Sequence, residues 1–151
     1  MFHLFLSIGQ SGIYSIDMID IAFTEISKKL KEFNFPEFDL VVGIARGGLF
    51  PAMLVAHQFG CHLEILTFNY RDDSNTPLYD EPKFLSGSFE NISKDKKILL
   101  IDDVSVSGKT LDAVKKLLHE YQVITFVLKG KADYALYTDI KECVNWPWKI
   151  K

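Results

Sequence analysis

Cysteine is scarce in this chain, with two among 151 residues. Cys61 and Cys143 are far apart and belong to no CxxC pattern, so the expected compartment is the reduced cytoplasm. Histidine is nearly as scarce, with four residues. His57 and His62 fall on either side of a helix end, which is poor spacing for metal ligands, and no HExxH occurs. They read as structural histidines, and no Ser-His-Asp set can be assembled from the order of the chain. Long apolar runs are missing too. The N-terminal FHLFL is too short to span a bilayer and lacks a basic flank, so no membrane span is expected. An excess of basic residues is the last absence: the net charge of −3 argues against a broad platform for nucleic acid. A phosphate ligand stays open, because backbone N–H groups and one or two cations suffice to bind one.

The length suits one compact domain, and a composition of 48% hydrophobic and 25% charged residues is that of an ordinary globular protein. No internal repeat or low-complexity segment is evident. Apolar residues at Ile16, Ile19, Ala22, Phe23, Ile26 and Leu30 predict a helix over 15–33 with Ser15 as N-cap, and Lys28, Lys29 and Lys31 on its solvated face. LVVGIA at 40–45 predicts a strand ending at Arg46-Gly47-Gly48. A helix over 49–59 follows, with Pro51 in its first turn and Gly60 as its stop. A strand is expected over 62–70, and a long irregular stretch over 71–95, broken by Pro77, Pro82 and Gly87. A buried strand from Ile98, a helix over 111–121 and a strand over 122–128 complete the alternation. Strands alternating with helices predict a parallel sheet covered on both faces.

The segment Ile98–Thr110, ILLIDDVSVSGKT, carries the most chemistry. Its ending SGKT invites comparison with a Walker A loop, but that loop needs a glycine where this chain has Asp103. A carboxylate cannot stand in for a residue whose role is to let backbone approach phosphate. The acid pair is then the signal. Adjacent carboxylates at a strand end accept hydrogen bonds from ribose hydroxyls or hold Mg²⁺, and the following loop offers N–H groups, hydroxyls and a helix N-terminus to a monophosphate.

In this order, an aliphatic strand, two acids, a short variable stretch, Ser, Gly, any residue and Thr, the segment resembles the phosphoribosyl-diphosphate (PRPP) motif of type I phosphoribosyltransferases. Ser105 departs mildly from the aliphatic residue commoner there. GIARGG at 43–48 is similar to the family's pyrophosphate loop, in which glycines admit unusual backbone and Arg46 offers a guanidinium fork. Lys129 and the tail CVNWPW at 143–148 look like the base-recognition end of bacterial xanthine-guanine (6-oxopurine) phosphoribosyltransferases. Tyr14-Ser15-Ile16-Asp17-Met18 is similar to the segment before their first helix. The resemblance runs from about Tyr14 to Trp148.

The resemblance implies an α/β type I phosphoribosyltransferase fold: a central, mostly parallel sheet flanked by helices, a small C-terminal base-recognition (hood) segment and a flexible lid loop. Residues 1–13 are an N-terminal extension of unknown role, and 14–151 a single domain, with the lid at about 71–95 and the base segment at about 129–148. The implied reaction joins a purine base (guanine, xanthine or hypoxanthine) to PRPP with Mg²⁺, releasing pyrophosphate. Asp102 and Asp103 would hold the ribose hydroxyls, with Asp103 also the metal contact. Arg46 and Gly47 would bind pyrophosphate, and Val104, Ser105, Val106, Ser107, Gly108, Lys109 and Thr110 would complete the PRPP site. Lys129, Cys143 and Val144 would meet the base. Tyr70 matches the base of the lid, and Arg71 or Lys83 is left to serve as lid cation. Relatives usually associate, so a homodimer or homotetramer is implied, with Phe50 or Phe84 available to an interface.

Two departures fall in the base pocket. Val106 stands where 6-oxopurine enzymes carry an Asp facing an imidazole nitrogen, and it can neither donate nor accept a hydrogen bond. Cys143 stands where they carry a stacking Trp, with Trp146 a replacement only if the tail takes another path. A changed or relaxed base preference follows, which keeps two alternatives open. One is a transferase for a pyrimidine or other base. The other is a non-catalytic regulator that binds PRPP or nucleotide.

Overall fold

The computed structural model describes the backbone of residues 2–7, 13–72 and 76–149, with side chains from residue 17 onward. Residues 1 and 8–12 of the N-terminal extension and 73–75 of the lid stretch lie outside the described residues. The elements are β1 (Phe2–Ser7), β2 (Ile13–Asp20), α1 (Phe23–Glu32), β3 (Leu40–Ala45), α2 (Leu49–Phe59), β4 (His62–Asn69), β5 (Lys83–Ser86), β6 (Lys97–Ser105), α3 (Lys109–Leu117), β7 (Gln122–Gly130), β8 (Tyr134–Tyr137) and β9 (Cys143–Asn145). They form two compact units. One comprises residues 1–32 with 139–151, the other 33–138.

The larger unit is a six-stranded sheet in the order β5-β4-β3-β6-β7-β8. All its pairings are parallel except β4 with β5. Its central strands are apolar on both faces, as a doubly covered sheet requires. Val41, Val42, Leu99, Leu100 and Ile101 are fully buried. On one face Val42, Ile44, Ile98 and Leu100 pack in a cluster with Leu111 and Val114 of α3 and with Leu118 just after it. Helix α2 keeps its predicted limits because its signals are local. Pro51 sits in the first turn, and Gly60 closes it in the left-handed conformation, its N–H bonded to the carbonyls of Ala56 and His57.

The order of the strands sets the position of the site. From β3 the chain passes through α2 to β4 on one side, and from β6 it passes through α3 to β7 on the other. Because β3 and β6 are neighbours, the connections diverge there, and this switch point, beyond the carboxyl ends of the two strands, is where open α/β sheets form their ligand crevice.

The smaller unit corrects the reading of residues 15–33 as one helix capped by Ser15. Residues 13–20 form a strand between β1, antiparallel to it, and β9, parallel to it. The helix begins only at Phe23. Ile16 and Ile19 have helical spacing, but two strand partners, one of them near the other end of the chain, outweigh that local signal. Lys28, Lys29 and Lys31 are exposed, as expected.

Other limits move as well. The stretch 71–95 contains β5 and an isolated bridge between Arg71 and Pro77. Helix α3 begins earlier and ends at Leu117, short of the predicted Tyr121. Tyr121 instead turns its hydroxyl toward the carbonyls of Phe89 and Ile92, 3.0 Å from each, and so fixes the descent into β6. Tyr121→Phe removes this hydroxyl donor while the Phe89 carbonyl keeps the Ile92 N–H at 3.0 Å, a loss of about 1 kcal/mol. The expected outcome is a melting temperature lower by ~2–4 °C per kcal/mol lost, read by calorimetry, with faster amide exchange over 89–92.

Candidate active site

Two loops meet at the crevice. After β3 the chain turns through Arg46, Gly47 and Gly48 into α2, and the Ala45–Arg46 peptide is cis. After β6 it turns through Val106, Ser107 and Gly108 into α3. The loops touch because the first has no side chains in the way. A Cβ at Gly48 would stand 2.5 Å from the carbonyl oxygen of Ile101 and 2.9 Å from Cα of Asp102. One at Gly47 would stand 2.6 Å from Cγ of Asp103 and 2.7 Å from its Oδ2. The Arg-Gly-Gly loop thus lies directly against the acid pair.

The acids sit inside β6 rather than beyond it, since the strand continues to Ser105. Asp102 Oδ1 accepts the N–H of Asp103 at 2.8 Å, and Asp103 Oδ1 accepts that of Val104 at 2.7 Å. Both residues are half-buried. Loss of solvent, and then the charge of Asp103, raise the Asp102 carboxyl well above the usual carboxylate range.

Both helices begin without a side-chain cap. Gly48 precedes α2 and Gly108 precedes α3, and neither supplies a capping hydrogen bond. A Ser, Thr, Asp or Asn cap would stabilise each helix by about 0.5–2 kcal/mol. The nearest substitute is Ser107 Oγ, 3.4 Å from the Lys109 N–H. Gly108 takes φ +80°, which a side chain rarely adopts. At α2 the Gly48 and Leu49 N–H groups already bond the carbonyls of Ile44 and Arg46, and Pro51 has no N–H, so that helix offers its positive dipole end; together with the start of α3 it makes an arrangement suited to anions. Ser105 adds a further donor. It is 6% exposed, and its hydroxyl has no hydrogen-bond partner among the described residues.

The remaining predicted residues are placed as follows. Tyr70 is buried at the end of β4, with the Arg71 guanidinium 4.9 Å from its ring centre. Lys83 stacks on Tyr79 instead, 3.8 Å from that ring, so Arg71 is the lid-stretch cation next to Tyr70. Val106 is 65% exposed at the loop tip. Thr110 is half-buried in the first turn of α3. Lys129 does not follow a strand, as predicted, but lies within β7, level with Val104 of β6 and Tyr137 of β8. In the smaller unit, Cys143 is exposed and Val144 buried on β9. Trp146 is 1% exposed and stacks on Trp148, ring centres 5.7 Å apart. A ring so deeply buried is unavailable to a base, so Trp146 does not replace the missing stacking residue. Sequence reasoning overlooked the close approach of Gly48 to β6 and the neighbour Tyr137. The first was signalled by paired glycines before a helix, the second by nothing local. His62 bonds Glu64 at 2.7 Å and takes no part.

The larger unit is thus a mostly parallel α/β sheet with an acid pair and two uncapped helix starts at its switch point. The chain belongs to the phosphoribosyl transferase domain family, which matches residues 10–151. It is 29% identical over 112 residues to a xanthine-guanine phosphoribosyltransferase of Cereibacter sphaeroides, covering 72% of this chain and 64% of that protein. It is 32% identical over 83 residues to the transcriptional regulator GfcR of Methanocella arvoryzae, covering 54% of this chain and 40% of that one. The matched part therefore spans less than two thirds of either relative. In fold it is similar to a purine phosphoribosyltransferase of Pyrococcus horikoshii. The TM-score is 0.68 at 22% identity, over 89% of this chain and 95% of that one.

The raised Asp102 gives a pH-dependent stability. A carboxyl that binds its proton more tightly in the folded state destabilises the fold once ionised, and that cost fades as pH falls toward the unfolded value of about 4. Asp102→Asn removes the cost and keeps the Oδ1 acceptor. Without divalent cation or ligand, the variant is expected to melt several degrees above the parent at pH 8. The gap should close as the pH approaches 4, as read by differential scanning fluorimetry.

Proposed function

We propose that this protein is a Mg²⁺-dependent phosphoribosyltransferase. It would join a purine base (guanine, xanthine or hypoxanthine) to PRPP and yield the nucleoside monophosphate and pyrophosphate, in purine salvage in the cytoplasm. The observation that carries the reading is the meeting of two uncapped helix starts across the Asp102–Asp103 pair. PRPP has two phosphate groups separated by a sugar diol, and this arrangement offers a place to each.

In the reaction the bond from the anomeric carbon to the diphosphate oxygen breaks as a bond from a base nitrogen forms, and positive charge develops on the ribose. Arg46 and Gly47 would hold the departing diphosphate. The loop from Val104 to Thr110 would hold the 5′-phosphate, and the paired carboxylates the ribose hydroxyls. Lys129, on the strand beside β6, would donate to an exocyclic oxygen of the base. Catalysis of this kind is mostly positioning and electrostatics.

The donor set fits Mg²⁺. Among the described residues no three acidic, histidine or cysteine side chains gather, and Mg²⁺ characteristically takes one or two carboxylates, completing its shell from substrate and water. Asp103, backed by Asp102, would be that contact. The chemistry such a cation supplies is neutralisation of charge on the diphosphate.

Self-association into a homodimer or homotetramer belongs to the same proposal. Phe50 and Phe84, available on the sequence, are exposed, as is Met53 on α2. Among the described residues no helix is long and apolar enough to cross a membrane.

A second reading is favoured by exposed Val106 and Cys143, both unlike the purine pocket, and by likeness to a transcriptional regulator. It takes the chain as a transferase for another base, or as a binder of PRPP without turnover. Pyrophosphate release against a panel of bases separates them. Turnover with guanine, xanthine or hypoxanthine is expected; release only with uracil or orotate, or PRPP binding without release, favours the second reading. Asp103→Asn should lower turnover by about 10²-fold or more at saturating PRPP, with circular dichroism unchanged. Undiminished activity would sink the assignment.

A further inference from the structure

A cation at the start of a helix opposes the helix dipole. Lys109 is the first residue of α3 and lies on the exposed surface. Among the described residues it forms no ion pair with a carboxylate. Its chain reaches across 29 residues of sequence instead, to the arm that leads into β5. There Nζ stands 3.4 Å from the carbonyl oxygen of Asp80 and 5.9 Å from the ring centre of Tyr70. Arg71 lies over the same ring, so one buried tyrosine serves two cations from two different loops. The arm is folded back toward this point by the Leu78 N–H, which bonds the carbonyl of Tyr70 at 2.8 Å.

We propose that Lys109 is a positioning residue that tethers the arm 76–86 to the loop Ser107–Thr110. An ammonium has three donors and no acceptor. One donor directed at Asp80 leaves two for an anion seated on the start of α3. The arm and the anion then share one cation, and the order of the arm depends on the same side chain that helps to hold the phosphate. The tether rests on geometry alone; its service to the reaction rests on the transferase reading.

Hydrogen–deuterium exchange of the full chain tests the tether without any ligand. Lys109→Met keeps the length and the helix propensity of the side chain but loses the donors. It is expected to raise exchange over 76–86 by about fivefold or more, leaving the amides of β3 and α2 unchanged. Lys109→Arg can still reach a carbonyl and should exchange within about twofold of the parent. Exchange in Lys109→Met within that same margin overturns the proposal, and so does an arm equally loosened by Arg. In turnover, Lys109→Met should raise KM for PRPP by about tenfold or more, with Arg restoring most of it. If the exchange results hold while the parent releases pyrophosphate with no base, the tether stands and the transferase reading falls.

Discussion

The chain that leaves β3 comes within contact distance of the backbone of β6, and the geometry of the site depends on that approach. Gly48 rests on the carbonyl of Ile101, and Gly47 against the carboxylate of Asp103. A side chain at Gly48 would push the two backbones apart, and one at Gly47 would displace the Asp103 carboxylate. The approach is possible only because β3 and β6 are adjacent and parallel, so that both chains turn into their helices at the same edge of the sheet. Sheet order, glycine placement and the site are therefore one constraint seen at three scales.

That constraint works against the protein's own stability. Two helix starts forgo side-chain caps, two half-buried carboxylates stand side by side in β6, and Ser105 buries a hydroxyl without a described partner. A missing cap or an unmade hydrogen bond is unfavourable on its own by about 1 kcal/mol. The signs are consistent with one another: positive helix ends want an anion, and paired carboxylates want hydroxyl donors or a cation. On the proposed reading, a ligand carrying phosphates around a diol would answer the helix ends and the carboxylates together, which is why these local defects read as a site rather than as poor packing.

How much of this was legible in the sequence depends on how far each signal reaches. The limits of β3 and α2, and the first residue of β7, came out as predicted, because an apolar run, Pro51 and Gly60 act within a few residues. The acid pair and the glycines were legible for the same reason, since a turn into a helix is a local event. Residues 13–20 were misread as helix because their partners are β1 and β9, and no pattern within those residues reports a pairing with Cys143–Asn145. The edge strand β5 was missed because it is four residues of fully exposed pattern, with no alternation to mark it. Lys129 was placed after its strand because the apolar run ends at Leu128, whereas hydrogen bonding to β6 and β8 carries the strand on to Gly130.

The same distinction bears on the residues that depart from the purine pattern. The residues expected to hold the sugar phosphates lie on helix starts, glycine approaches and a strand, where substitution disturbs the fold as well. Val106 and Cys143 are instead exposed side chains, one at a loop tip of the larger unit and one on β9 of the smaller, and exchange of one residue for another there leaves the sheet untouched. Under the proposed reading, specificity for the base would be free to change while the scaffold stays as it is. Trp146 illustrates the limit of that freedom. Stacked on Trp148 and almost wholly buried, it has been taken up by the core, and a side chain committed to packing is not available to recognise anything else.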